Sequence, residues 1–142
     1  MRPKIKTEVH KTKYLAELVC SNSFRSDDKE YNAVGLLHEE LRMADSLIMK
    51  VADLNKVPAG SALAVDRDDF SKQVDQEIKD NKKITIVNEE VTDLDIFKNE
   101  IVIVATGPLT SNKLSQNIKD KTSENSLAFY DAIAPIVYKD SI

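Results

Sequence analysis

The stretch SALAVDRDDFSKQVDQEI (61–78) passes from a short apolar run to a segment with helical periodicity. Residues 61–65 are small or apolar, which is typical of a buried strand. Asp66 or Asp68 can then accept hydrogen bonds from free backbone N–H groups and begin a helix. The inner face of that helix consists of apolar residues four positions apart, namely Phe70, Val74 and Ile78. The stretch therefore predicts a strand followed by a helix, the unit from which α/β sheets are built.

A longer periodic segment precedes this unit. Apolar residues over 31–54 recur at alternating spacings of three and four, which predicts one long helix. Its apolar face is Val34, Leu37, Leu41, Ala44, Ile48 and Val51. Asn55 is a plausible end signal and Pro58 stops the helix.

Two later segments have the composition of buried strands. ITIV (84–87) follows a polar turn, and residues 91–94 either continue that strand or form a neighbouring extended piece. IVIVA (101–105) contains no charge, as expected for a strand covered on both faces of a parallel sheet.

The region beyond these strands predicts one more helix and further extended structure. Thr110 or Ser111 can cap the helix, and extended segments are predicted over 126–134 and 136–138. Because strands alternate with helices, we predict an α/β fold with a mainly parallel sheet. An α+β arrangement is the alternative.

Composition excludes several classes of protein. The 142 residues carry 20 basic and 24 acidic side chains, so the net charge is −4, and no apolar run is long enough to span a bilayer. No secretory signal is recognisable at the start. The single cysteine, Cys20, excludes an internal disulfide and a cysteine-rich zinc site, and makes a reducing cytoplasm the natural setting. The three glycines lie too far apart for a phosphate-binding loop of either common pattern.

Two places in the sequence are candidate ligand sites. Ala105, Thr106 and Gly107 follow a predicted strand, and ligands of open parallel sheets bind beyond such strand ends. The alternative is an ordinary turn glycine. Cys20 is followed by Ser21, Asn22 and Ser23 and then by Arg25, so it is either a reactive thiol near a cation or a small buried side chain.

Other polar residues favour structural interpretations. His10 and His38 have no neighbouring ligand in the sequence, His38 is predicted on the polar side of its helix, and no metal site is expected. Arg67 is a candidate substrate-binding residue, although helix capping explains its acidic neighbours equally well. A basic arm over 1–13 is either a nucleic-acid contact or a solvated terminal segment.

Six motifs in one order resemble those of the TrmFO family, which is similar to the GidA flavoproteins. The motifs are AELVCSNSFRS (16–26), NAVGLLHEELR (32–42), VPAGSALAVDRDDFS (57–71), NEEVTDL (88–94), ATGPLTS (105–111) and FYDAIAPIVYKDSI (129–142). The resemblance covers the whole chain. It implies that residues 1–142 are part of a GidA-like, Rossmann-type FAD-binding domain.

The resemblance also implies a reaction and its participants. FAD, reduced by NAD(P)H, takes a one-carbon unit from methylenetetrahydrofolate and passes it to C5 of a uracil in the T loop of tRNA. Cys20 is the implied catalytic thiol at the flavin, while the family's usual nucleophile on uracil lies beyond Ile142. The implied cofactor contacts are Met1, Arg2, Ser21, Asn22, Ser23, Val91, Ala105, Thr106 and Gly107.

The sequence also departs from the family's pattern. It starts at the Met-Arg-Pro (1–3) that follows the family's first βαβ unit, so it resembles an internal fragment without the pyrophosphate loop. We therefore expect a marginal fold with exposed apolar surface and a tendency to aggregate. Three alternatives to tRNA methylation remain: methylation of ribosomal RNA by the same family, a non-catalytic remnant, and an unrelated α/β binding domain.

Overall fold

A computed structural model of the chain describes residues 9–107 and 110–123. The described residues form two compact units, which are residues 9–87 and residues 88–107 with 110–123. The predicted extended segments over 126–134 and 136–138 lie outside the described residues. Within the described ranges, no helix is long and apolar enough to cross a membrane.

The first unit contains a three-stranded antiparallel sheet. Strand β1 spans Ser23–Ser26, β2 spans Lys56–Val57 and β3 spans Ala62–Val65, and their order is β1-β3-β2. Central β3 is the predicted strand at 61–65, and Leu63, Ala64 and Val65 are buried. Its pairing with β1 is irregular between Ser23 and Ser26, where Arg25 has a positive φ of 71°, as at a β-bulge.

Three helices accompany this sheet: α1 (Ala33–Met43), α2 (Leu47–Leu54) and α3 (Arg67–Asp80). Asp66 caps α3, since its carboxylate accepts hydrogen bonds from the backbone N–H groups of Asp68 and Asp69, both at 3.0 Å. The cap predicted at the start of this helix is therefore confirmed.

The helix predicted over 31–54 is divided into α1 and α2. Asp45 adopts a left-handed φ of 55°, the N–H of Ser46 bonds to the carbonyl of Leu41, and that of Asp45 bonds to the carbonyl of Arg42. This pair of bonds is the Schellman pattern that ends helices. The prediction of a single helix was wrong because the local turn satisfies the last carbonyls of α1.

The apolar core lies where α2 and α3 pack on the sheet. Its buried members are Met49, Val51, Ala52, Leu63, Val65, Phe70 and Val74. The rings of Phe24 in β1 and Phe70 in α3 meet edge to face at 5.5 Å between centroids. The predicted inner face of α3 is confirmed by the burial of Phe70 and Val74.

Helix α1 buries a different face from the one its apolar residues predict. Gly35 and His38 are its buried residues, whereas Leu37 and Leu41 are exposed. A Cβ at Gly35 would lie 2.1 Å from the backbone oxygen of Asp28, so the missing side chain allows α1 to approach this backbone closely. The placement of His38 on the polar side was therefore wrong, because only the glycine side of α1 can pack this tightly.

The second unit contains a short 3₁₀ helix (Leu94–Phe97) and helix α4 (Asn112–Thr122). Asn117 joins them: its side-chain oxygen accepts from the N–H of Leu94 at 3.0 Å, and its amide donates to Asp93 at 3.1 Å. The hydroxyl of Ser111 accepts from the N–H of Leu114, which confirms the cap predicted for this helix.

A mixed α/β fold is confirmed, but two strand predictions and the strand direction were wrong for the described residues. Residues 84–87 and 101–105 form no strand, and the three strands present are antiparallel. A strand needs hydrogen-bonded neighbours, and the described residues supply none to these segments. The side chains of Ile101 and Ile103 are 99% and 85% exposed, which confirms the expected exposed apolar surface.

Candidate functional site

Cys20 lies in the loop just before β1, where its side chain is exposed and free of a disulfide. The alternative of a small buried side chain is therefore wrong. Two residues later, Asn22 exchanges two hydrogen bonds with Val65 at the end of β3. The N–H of Val65 donates to the carbonyl of Asn22 at 3.0 Å, and the amide of Asn22 donates to the carbonyl of Val65 at 2.9 Å.

Ser21 in this loop and Ser23 at the start of β1 shape the local backbone. The hydroxyl oxygen of Ser21 accepts from the N–H of Ser23 at 3.0 Å, and that of Ser23 accepts from the N–H of Arg25 at 3.0 Å. Such serine turns use one lone pair of each oxygen and leave the hydroxyl proton available to a ligand. The structure thus places Cys20, Ser21 and Asn22 in one tightly turned loop that leads into β1 at Ser23.

Arg67 contacts the same loop from the first position of α3. Its Nη2 donates to the backbone carbonyl of Cys20 at 3.3 Å. The sequence suggests Arg25 as the cation near the thiol, but Arg67 is the arginine that reaches this residue across 47 positions. The sequence does contain a signal that points to Arg67. A cation in the first turn of a helix is unfavourable with the helix dipole, so its presence at this position needs another explanation.

The second predicted site lies in the other unit and is described by itself. Ala105, Thr106 and Gly107 are exposed, and Gly107 has a positive φ of 66° with no atom within 4 Å of the position that a Cβ would take. The hydroxyl of Thr110 donates to the carbonyl of Gly107 at 2.7 Å and lies 2.6 Å from the hydroxyl of Thr106. These bonds join Thr106 and Gly107 to Thr110, and the backbone at Gly107 itself is open to a ligand.

The structure describes only some of the other residues that are predicted to contact the cofactor. Val91 is half-buried in the extended stretch before the 3₁₀ helix, in the same unit as Gly107. Met1 and Arg2 lie outside the described residues, as does most of the basic arm over 1–13.

A charged cluster that the sequence did not predict lies beside β1. Asp27 accepts hydrogen bonds from Arg42 at 2.9 Å, from Nδ1 of His38 at 3.1 Å and from Lys56 at 3.2 Å. Burial by itself would raise the pKa of Asp27, but the bonds from Arg42, His38 and Lys56 hold that pKa below its usual range. Bonds to Asp53 and Asp27 raise the pKa of Arg42. Because these groups satisfy one another, the cluster is structural.

A shallow cleft of about 210 Å³ lies between α2 and α3 and contains none of the predicted site residues. It is lined by Asp45, Leu47, Lys50, Glu77, Ile78, Asn81 and Ile84. In the part of the chain that the structure describes, no three His, Cys, Asp or Glu side chains come together as a metal site.

Comparison with known proteins identifies the family. The family model described as glucose inhibited division protein A matches residues 2–142. A protein of Bartonella henselae named methylenetetrahydrofolate–tRNA-(uracil-5-)-methyltransferase TrmFO is 61% identical over 142 residues, which are all of this chain and 30% of that protein. A protein of the same name from Paramagnetospirillum magneticum is 59% identical over 142 residues, or all of this chain and 32% of its own length.

A third relative of that name, from Rhizobium johnstonii, is 60% identical over 136 residues, or 96% of this chain and 28% of its own length. The chain thus spans about 30% of the length of the curated relatives it matches. The resemblance found in the sequence motifs is confirmed by identities near 60% and by a family model that covers almost every residue. This chain belongs to the GidA family.

Proposed function

We propose that this chain works in the folate-dependent methylation of uracil C5 in tRNA. The observation that carries the proposal is the identity of about 60% over the whole chain with relatives named for that reaction. Their names specify tRNA, so methylation of ribosomal RNA is not favoured. We infer that methylenetetrahydrofolate is the one-carbon donor, that NAD(P)H is the reductant and that the reaction takes place in the cytoplasm, where an exposed free thiol such as Cys20 persists.

The residues of the two candidate sites suit a flavin. A flat ligand needs backbone it can approach closely, and the open left-handed turn at Gly107 offers this. Polar edges of a flavin need donors, which the hydroxyl groups of Ser21 and Ser23 can provide, whereas Thr106 donates its proton to Thr110 and can serve as an acceptor. FAD would supply the electrons of the reaction. We therefore propose that residues 1–142 form part of an FAD-binding domain, with Met1, Arg2, Asn22, Val91 and Ala105 as further contacts.

Cys20 is the residue of this chain that we propose as catalytic. Its sulfur is exposed on a loop whose backbone is held by hydrogen bonds, so it can meet a ligand without moving its neighbours. A thiol in such a position can act as a nucleophile or transfer a proton at its sulfur. The chain's own contribution is to keep this group at the flavin by holding the backbone that carries it.

A chimeric protein tests the proposal. The matching stretch of the Bartonella henselae relative is replaced by this chain, and the product is assayed for flavin absorbance and for 5-methyluridine formed in tRNA. We expect flavin binding and methyl transfer, and we expect Cys20→Ser to reduce methyl transfer at least about a hundredfold. The unexchanged relative is the control. A folded, flavin-loaded chimera that forms no 5-methyluridine would contradict the proposed function.

A further inference from the structure

Three hydrogen bonds from the junction of β3 and α3 hold the loop that carries Cys20. Two of them join Asn22 and Val65, at 2.9 and 3.0 Å. The third runs from Nη2 of Arg67 to the carbonyl oxygen of Cys20, at 3.3 Å. The Asn22 pair fixes the loop after the cysteine, and the Arg67 bond fixes the peptide group of the cysteine itself.

Arg67 stands where a cation is unfavourable for the helix. It is the first residue of α3, and the N-terminus of a helix carries a partial positive charge. The acidic residues around it, Asp66, Asp68 and Asp69, suit that position, so the arginine is the exception. A residue that breaks a local rule is expected to have a compensating role elsewhere. Among the residues that the structure describes, the hydrogen bond that the Arg67 side chain makes is the one with Cys20.

We propose that Arg67 is a positioning residue that restrains the backbone at Cys20, from which the thiol projects. A hydrogen bond to the carbonyl of Cys20 restrains the peptide group between Cys20 and Ser21, and so restrains the backbone from which the Cys20 side chain projects. A charged donor makes the bond stronger than a neutral donor would. The exposed thiol thereby projects from a restrained point of the loop, while its side chain stays free to rotate about χ1. This inference rests on the proposed function for its catalytic meaning, but not for the contact itself.

Arg25 provides a matched control. It is also an exposed arginine and is closer to Cys20 in the sequence, but its side chain makes no hydrogen bond or ion pair with the residues that the structure describes. If general positive charge near the thiol were important, Arg25→Gln and Arg67→Gln would have similar effects. If the carbonyl contact is important, only the second substitution changes the loop.

Backbone dynamics of the 142-residue chain test the contact directly. In Arg67→Gln we expect the NMR order parameters of the Cys20 and Ser21 amides to fall from about 0.85 to below about 0.6. Arg67→Lys, which keeps one charged donor, should retain intermediate values, and Arg25→Gln should match the wild type. The unfolding temperature of Arg67→Gln should stay the same or rise, because the unfavourable charge at α3 is removed. Unchanged order parameters in Arg67→Gln would overturn the proposal, and so would a lowered unfolding temperature that accompanies loosening of the whole unit.

Methyl transfer by the chimera separates this inference from the proposed function. We expect Arg67→Gln to lower methyl transfer at least about tenfold with flavin content unchanged, because small misplacements of a catalytic group are costly. Arg67→Lys should recover part of the loss. Full activity in Arg67→Gln, with the loop loosened, would overturn the positioning role. Full activity in Cys20→Ser would instead refute the catalytic role of the thiol and leave the Arg67 contact to be judged by the order parameters.

Discussion

Nη2 of Arg42 donates hydrogen bonds to both carboxylate oxygens of Asp27, at 2.9 and 3.1 Å. The same guanidinium bonds to Asp53 in α2, at 2.7 and 2.8 Å. Because Asp27 also accepts from His38 in α1 and Lys56 in β2, one carboxylate joins the end of β1 to α1 and β2, and Arg42 extends the connection to α2. These contacts hold α1 on the unit in the absence of a large apolar interface.

Replacement of Asp27 should destabilise the first unit. Asp27→Asn removes the charge that three donors share and leaves the half-buried Arg42 and the buried His38 with a weaker acceptor, so we expect a loss of about 1–3 kcal/mol. Urea denaturation followed by circular dichroism measures this loss. Asp53→Asn is the control, because Asp53 is more exposed and should cost less than about 1 kcal/mol. Equal losses in the two variants would contradict the central role of Asp27.

The contribution of Asp27 should depend on pH. Its pKa is lower in the folded chain than in the unfolded chain, so its stabilisation is complete above about pH 4 and is lost as pH falls through the folded value. We therefore expect the difference in unfolding free energy between wild type and Asp27→Asn to shrink in acid. Denaturation curves collected from neutral pH downward check this sign. A difference that stays constant through the acid range would contradict it.

Gly35→Ala should disrupt the packing of α1. The added carbon would lie 2.1 Å from the carbonyl oxygen of Asp28, and backbone cannot yield as a flexible side chain can. We expect a loss of about 1–3 kcal/mol despite the better helix propensity of alanine. Gly60→Ala is the matched control, because its φ of 63° causes backbone strain while nothing lies within 4 Å. The unfolding temperatures of the two variants are measured and compared. A Gly35→Ala chain as stable as wild type would refute the close approach of α1 to the backbone of Asp28.

Asp75 should hold the segment before Cys20 against α3. Its carboxylate accepts from the N–H of Leu15 at 3.2 Å and from Lys79. Asp75→Asn should therefore speed hydrogen exchange at Leu15, by about fivefold to tenfold if one bond of about 1 kcal/mol is weakened. Asp80→Asn in the same helix, where Asp80 bonds only to Gln76 among the described residues, should leave that exchange unchanged. If the Leu15 amide is equally protected against hydrogen exchange in both variants, that result would argue against the role of Asp75 in holding this segment.

The exposed run at 101–104 should promote self-association. Ile101 and Ile103 project apolar surface into solvent, and extended β-branched segments without partners pair readily with other chains. We expect Ile101→Lys with Ile103→Lys to shift sedimentation profiles toward monomer without lowering the unfolding temperature. Ile96→Lys, a change at an exposed isoleucine outside the run, is the control. If self-association persists in the double variant, a surface other than the run at 101–104 is responsible for it.

Local chemistry alone determined the best-predicted part of this protein. The strand at 62–65, the Asp66 cap and the burial of Phe70 and Val74 follow from side-chain spacing and from hydrogen bonds between near neighbours. The same holds for the Ser111 cap of α4. Motif resemblance likewise identified the family from residue identities, without any knowledge of which residues touch.

Tertiary structure decided the features that depend on distant partners. Residues 101–105 have the composition of a strand, but a strand exists only where neighbouring backbone completes its hydrogen bonds. Helix α1 turned its glycine side inward because the backbone of Asp28 lies close by, and His38 could be buried because Asp27 accepts its Nδ1 proton. The contact between Arg67 and Cys20 spans 47 positions, a separation that helical or strand periodicity cannot encode.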